Sequence, residues 1–213
     1  MKSLPTSTAD EISTADTKTT KNKKYDVIVA DPPWDINQKG KYGASSHYNV
    51  ENLDKIKSLP VKELAAEDCM LWIWVTKDIL LQVDEILEAW GFDYNNFVVW
   101  VKDKVGLGKY VRNSAEICIL ATRGKPEVGF RSQPNWFYSP RQEHSHKPEE
   151  MFAITERVGR NLNDGDPRKL ELFARRRQPG WDVWGNEIDS DICLAEYDWS
   201  VPSDTKFLEG GSR

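Results

Sequence analysis

Five short runs of apolar, largely β-branched or aromatic residues recur along this chain with helical periodicity between them, and that alternation leaves few folds open. The runs are Tyr25 to Ala30 (YDVIVA), Cys69 to Val75 (CMLWIWV), Phe97 to Val101 (FVVWV), Ile117 to Ala121 (ICILA) and Leu170 to Ala174 (LELFA). Runs that are apolar almost throughout read as strands buried on both faces. Between the second and third, Ile79, Leu80, Val83, Ile86, Leu87 and Trp90 recur at helical spacing, and Gly91 follows as a C-cap. Val61 to Ala66 after Pro60 reads as a short helix start. Pro148 to Val158 reads as a helix with Met151, Ile154 and Val158 on one face. The pattern predicts a three-layer α/β fold, a mostly parallel sheet covered on both sides. Ligands in such sheets sit at the C-terminal ends of strands. The loops to watch are therefore those after Ala30, Val75, Val101, Ala121 and Ala174.

The chain has 213 residues, enough for one domain with its own core. Residues 1–22 carry almost no large apolar side chain and read as a disordered polar tail. Its Lys18 and Lys21, with Lys23 and Lys24 just after it, read as solvated rather than as a phosphate-binding arm. Residues 23–188 hold all the patterned segments, and 189–213 read as an acidic appendage. Cys69, Cys118 and Cys193 lie far apart, which is neither a disulfide framework nor a CxxC metal site and suits a reducing, cytoplasmic setting. No apolar stretch approaches the roughly 18 residues needed to cross a bilayer, and the N-terminus lacks the apolar core of a signal peptide.

The loop after the first run reads Asp31-Pro32-Pro33-Trp34. The exocyclic amino group of a nucleobase is a poor nucleophile, because its lone pair is delocalised into the ring. Two acceptors that hold its N–H bonds turn the lone pair toward an electrophile. Asp31 supplies a carboxylate. Pro32 supplies a carbonyl with no competing N–H, and Pro33 helps fix the turn. Trp34 offers a face on which an extruded base can stack.

These residues resemble the Asp-Pro-Pro-Trp N6-adenine methyltransferases, the family of the catalytic subunit of the mRNA adenosine methyltransferase and of many bacterial and phage DNA enzymes. The resemblance runs from about Lys24 to Glu187. It rests on VIVADPPWDI (27–36), LPVKELAAEDCMLWIWVT (59–76), EICILATRGKP (116–126), SPRQEHSHKPEEMF (139–152) and KLELFARRRQPGWDVWGNEI (169–188), with the bacterial and phage members closest in the last three. It implies a Rossmann-like class I S-adenosylmethionine-dependent fold with permuted motif order. The absence of GxGxxG after the first strand agrees with that. It further implies that Lys147 meets the carboxylate of the donor's methionine and that Asn186 and Glu187 hold the ribose hydroxyls. Arg175 and Ser145 would stand near the donor, and Tyr42 beside the target base. The donor's adenine contacts stay unassigned.

The net charge of −5 argues against a basic nucleic-acid coat, but the charge is segregated. Residues 101–180 hold 16 Lys and Arg against 10 Asp and Glu, and the rest hold 13 against 24. Lys102, Lys104, Lys109, Arg112, Arg131, Arg141 and Arg175 to Arg177 are candidates for phosphate contacts near the site, with Lys109 and Arg112 foremost. His144 and His146 lack metal-ligand spacing, and methyl transfer needs no metal, so no metal site is expected. The expected activity is N6-adenine methylation of DNA. Its alternatives are the same reaction on RNA, N-methylation of a protein glutamine, and a catalytically dead nucleic-acid-binding partner. The small domain invites a second copy or a related subunit as partner.

Overall fold

The computed structural model describes residues 23–34, 53–108, 110–142 and 146–208. Tyr42, Lys109, Ser145 and the polar tail of residues 1–22 lie outside the described residues. The strands are β1 (Tyr25–Ala30), β2 (Ala65–Val75), β3 (Asp93–Gly106), β4 (Asn113–Arg123), β5 (Trp136–Tyr138), β6 (Lys169–Leu172) and β7 (Asp182–Trp184). They form one sheet in the order β5-β3-β4-β2-β1-β6-β7.

β1 lies at the heart of the sheet, parallel to both β2 and β6, and all six of its residues are buried. Its alternation divides two cores. Ile28 and Ala30 face the layer built on helices α1 (Leu53–Lys57), α2 (Val61–Leu64) and α3 (Val83–Trp90). Val27 and Val29 face the layer built on α4 (Glu149–Gly159). The fold is the three-layer α/β arrangement that the strand pattern predicts.

The sheet is mixed in one respect. β4 runs antiparallel to both β2 and β3, whereas β5 and β7 pair in parallel with β3 and β6. Six strands therefore share one direction and β4 alone is reversed. The cause is chain length. β3 and β4 extend well beyond their apolar runs into charged and polar residues, leaving only 107–112 between them. A parallel connection needs roughly a dozen residues or more, so a link this short makes a hairpin. The loop after Ala121 consequently lies at the far end of the sheet, and the start of β4 stands beside the other strand ends instead. Val75 pairs with Ile117 there.

Local expectations hold in detail where a cap enforces them. Gly91 adopts the left-handed conformation (φ 75°), and its N–H reaches the carbonyls of Glu88 and Leu87. α3 starts at Val83, four residues later than the periodicity suggests, because 77–82 form turns; Ile79 is buried all the same. α4 begins just after Pro148. The helix start at Val61 is cut off at Leu64, where β2 begins.

The stretch beyond residue 188 is not an appendage in its packing. Ile192, Leu194, Trp199 and Val201 are buried in the α3-side core. The rings of Phe173, Trp184 and Trp199 meet edge to face at 5.5–6.0 Å, and the Trp199 indole N–H donates to Ser58 Oγ at 3.2 Å. Lys23 pairs with Asp182 at 2.7 Å, and the Lys24 ammonium donates to the Glu63 carbonyl, so both pin the start of β1. Buried Asp26 takes the guanidinium fork of Arg168 through two bonds of 3.0 Å, locking the entries of β1 and β6 together. All three cysteines are free thiols. No described helix is long and apolar enough to cross a membrane.

Candidate active site

The C-terminal ends of β1, β2, β3, β6 and β7 converge with the N-terminal end of β4 on one edge of the sheet. Asp31 leaves β1 there, its N–H pointing to the Leu172 carbonyl of β6 at 3.4 Å. Trp34, expected to present a face to a base, is only 7% exposed. Its ring packs into the core and its indole N–H donates to the Trp74 carbonyl at 3.0 Å. Trp34 therefore anchors the far side of the two-proline turn to β2, and Asp31 is held at the near side by β6.

Lys147 stands just before α4 and places its ammonium 2.8 Å from Asp31 Oδ2 and 3.4 Å from Glu116 Oε2. Glu116, at the start of the reversed strand β4, also pairs with Lys102 of β3. Two lysines and two carboxylates thus alternate across the edge. Below them, Lys147 lies 5.2 Å from the Trp74 ring centre and Lys102 lies 4.5 Å from that of Trp100. Those two rings meet edge to face at 6.2 Å. An ammonium over an indole face is attracted by the ring quadrupole.

The electrostatics follow from this packing. Burial disfavours the Lys147 charge, but the Asp31 and Glu116 carboxylates outweigh it and hold the pKa above its ordinary value. Burial likewise pushes Glu116 up, yet Lys147 and Lys102 prevail and keep it below the usual carboxylate range. Glu171 of β6 is different. Burial, and then the Asp31 charge, raise it to about 7 against weaker help from Arg176 and Lys147. Its Oε2 atom is buried with no hydrogen-bond partner in the protein.

Arg175 follows β6 and is exposed, as are Asn186 and Glu187 directly after β7. Between the two loops Gly185 lies so close to Ala174 that a Cβ on it would fall 2.0 Å from the Ala174 carbonyl oxygen. Only glycine allows that approach, which brings Asn186 and Glu187 beside the β6 loop. The donor set fits S-adenosylmethionine. An ammonium suits its carboxylate, and an exposed amide and carboxylate suit a ribose diol.

The basic segment is less free than its charge suggests. Lys102 is tied to Glu116. Arg176 donates to Glu149 at 2.6 Å and to the Lys147 carbonyl at 3.1 Å, so it braces Lys147 instead of waiting for a phosphate. Arg177 grips Asp191. Arg131 lies at the opposite end of the sheet, beside the end of β4. Lys104 and Arg112 are exposed on the β3–β4 hairpin, which projects past the active edge.

Glu116 and Glu171 belong to this edge although no sequence motif singled them out. Glu171 carried a readable signal, a carboxylate inside an otherwise apolar strand. Glu116 did not, because a parallel β4 would have put it at the wrong end.

Among known proteins, the chain is similar to the type II methyltransferase M.MunI of Mycoplasma sp., 32% identical over 188 residues and covering 78% of each chain. It is 32% identical over 182 residues to the N(6)-adenosine-methyltransferase MT-A70-like protein of Arabidopsis thaliana, covering 81% of this chain and 25% of that one. To the human N(6)-adenosine-methyltransferase catalytic subunit METTL3 it is 31% identical over 178 residues, covering 78% of this chain and 28% of that one. It spans only about a quarter of the length of the plant and human relatives. The MT-A70 family model matches residues 25–187, from the first residue of β1 to the exposed carboxylate after β7. With every strand of the sheet and both sides of the ionic edge inside that match, the chain belongs to the MT-A70 family.

Proposed function

We propose that the protein transfers a methyl group from S-adenosylmethionine to the N6 amino group of an adenine extruded from DNA. The observation that carries this reading is the Asp31 carboxylate, fixed at the end of β1 and paired with Lys147 at 2.8 Å. Asp31 Oδ atoms and the Pro32 carbonyl accept the two N–H bonds of the adenine amino group and turn its lone pair outward. S-adenosylmethionine, when bound, would supply the activated methyl carbon. The nitrogen–carbon bond would form as the carbon–sulfur bond breaks, and Asp31 would take the surplus proton from nitrogen along its hydrogen bond. Positioning supplies most of the gain.

Lys147 holds the donor's carboxylate while its contact with Asp31 keeps that side chain aimed. Asn186 and Glu187 hold the ribose, and Arg175 and Ser145 add contacts to the donor. Tyr42 flanks the target base, and Lys109 and Arg112 grip the phosphate backbone. A second copy or a related subunit widens that grip.

Mutual coverage of 78% with a type II methyltransferase favours DNA. The same chemistry on RNA is the second reading, favoured by the adenosine methyltransferases at similar identity. The test is incubation with labelled S-adenosylmethionine and matched DNA and RNA oligonucleotides, single- and double-stranded, followed by digestion and a search for N6-methyladenine. Label in DNA supports the first reading and label confined to RNA the second. No label on any, with no donor binding by calorimetry, defeats both. Asp31→Ala should abolish transfer and spare donor binding. Lys147→Ala should mainly weaken donor binding.

A further inference from the structure

At the end of the sheet away from Asp31, a cavity of about 470 Å³ opens on the α4 side. It is lined by the start of β3 (Asn95 to Val98), by Leu120 and Thr122 near the end of β4, by the loop from Gly124 to Asn135 and by Val158 near the end of α4. Its floor is Met70 and Trp72 of β2. The edge-to-face pair of Trp74 and Trp100 separates it from Lys147. The volume falls in the range of small-molecule sites, about 300–1,000 Å³.

The lining is unusual for an idle crevice. Trp72 is 1% exposed, yet its indole N–H has no acceptor in the protein. Lys125 and Arg131 stand on the wall, and among the described residues neither is in an ion pair. Phe130 offers a ring, held from outside by Arg157, which lies 5.7 Å from its centre and donates to Gln133 at 2.8 Å. Asn95 and Asn135 stand on the rim. Asn96 gives its carbonyl to the Phe97 N–H at 2.8 Å and keeps its amide donors.

Ring, amides and paired cations together match one chemical class. An aromatic face takes a heterocycle, amides pair with the edge of a purine, and two cations take a phosphate. We propose that this cavity binds one purine nucleotide unit, with its ring on Phe130 and its phosphate met by Lys125 and Arg131. The unit is either a free nucleoside monophosphate or one nucleotide of a strand passing behind the active edge. The cavity stands on its own residues and does not depend on the methyl-transfer reading.

The test is calorimetric titration of the full chain with adenosine 5′-monophosphate, inorganic phosphate and a single-stranded pentanucleotide. The double variant Lys125→Ala/Arg131→Ala changes exposed side chains only, so it leaves the fold intact. Adenosine monophosphate bound by the parent, at least tenfold more weakly by the double variant and unchanged in Lys147→Ala, supports a free nucleotide. A tenfold loss confined to the pentanucleotide supports a strand. The proposal is overturned if neither ligand depends on Lys125 and Arg131. It is equally overturned if inorganic phosphate binds as tightly as the nucleotide, or if nucleotide binding disappears in Lys147→Ala and survives in the double variant.

Discussion

Glu171 should make the protein less stable as the pH rises from about 4.5 to about 7, and replacing it with glutamine should remove that penalty. It sits mid-strand on β6, paired in register with Val29 of β1 and Val183 of β7. Burial and the neighbouring Asp31 charge raise it to about 7, from an ordinary value of 4.5. Between those two values the folded chain keeps a proton that the unfolded chain has lost, so unfolding releases a proton and becomes easier as pH increases. The stabilisation is fully present below pH 4.5 and is gone once the pH has passed about 7. A tenfold difference in proton affinity between the folded and unfolded chain corresponds to about 1.4 kcal/mol, so the ceiling on the effect is about 3 kcal/mol. Urea unfolding of the ligand-free protein, followed by tryptophan fluorescence at pH 5, 6, 7 and 8, would measure it. Other titrating groups cancel in the comparison with Glu171→Gln, which keeps the shape and loses the charge. The advantage of Glu171→Gln over the parent should grow toward about 3 kcal/mol between pH 5 and pH 8. Two stability curves that stay parallel over that range would refute the argument, because the Glu171 carboxylate would then ionise as freely in the folded chain as in the unfolded one.

Three further outcomes follow from packing. Trp199→Ala should cost about 3–5 kcal/mol in urea unfolding, since it empties a ring cluster in the core and removes the bond to Ser58. Gly185→Ala should lower the thermal midpoint and weaken donor binding together, because its Cβ cannot fit 2.0 Å from the Ala174 carbonyl without parting the loops after β6 and β7. Asp26→Asn should cost about 1.5–3 kcal/mol, by urea unfolding, through loss of the charged fork with Arg168, with little change in donor affinity because the fork lies at the entry end of the strands.

Where local chemistry alone decides, the amino-acid sequence was sufficient. YDVIVA could only be a strand buried on both faces, and β1 matches it residue for residue. Gly91 read as the C-cap of α3, and it takes the left-handed turn that favours glycine. The Asp-Pro-Pro turn and Lys147 were both singled out in the sequence, and the fold brings them together although 116 residues separate Asp31 from Lys147. β5 and β7 were not legible. Each has three residues, and at the two edges of the sheet a strand is made by its neighbour's hydrogen bonds more than by its own composition.

Composition also misled at the C-terminus. An acidic stretch looked detachable, yet its few apolar residues are the ones that close the α3-side core. The direction of β4 had the largest consequence. Apolar runs report burial but carry no sense of direction, and the polar extensions that shorten the link between β3 and β4 are invisible to a search for apolar runs. Reversal moves Glu116 from the far end of the sheet to the active edge, where it meets Lys147 and Lys102. It also sends Arg131 away from that edge and to the wall of the cavity at the far end of the sheet. The residue types needed for the chemistry were thus set by the sequence itself. Which carboxylate faces which lysine was decided by strand direction, a property that exists only once the chain has closed on itself.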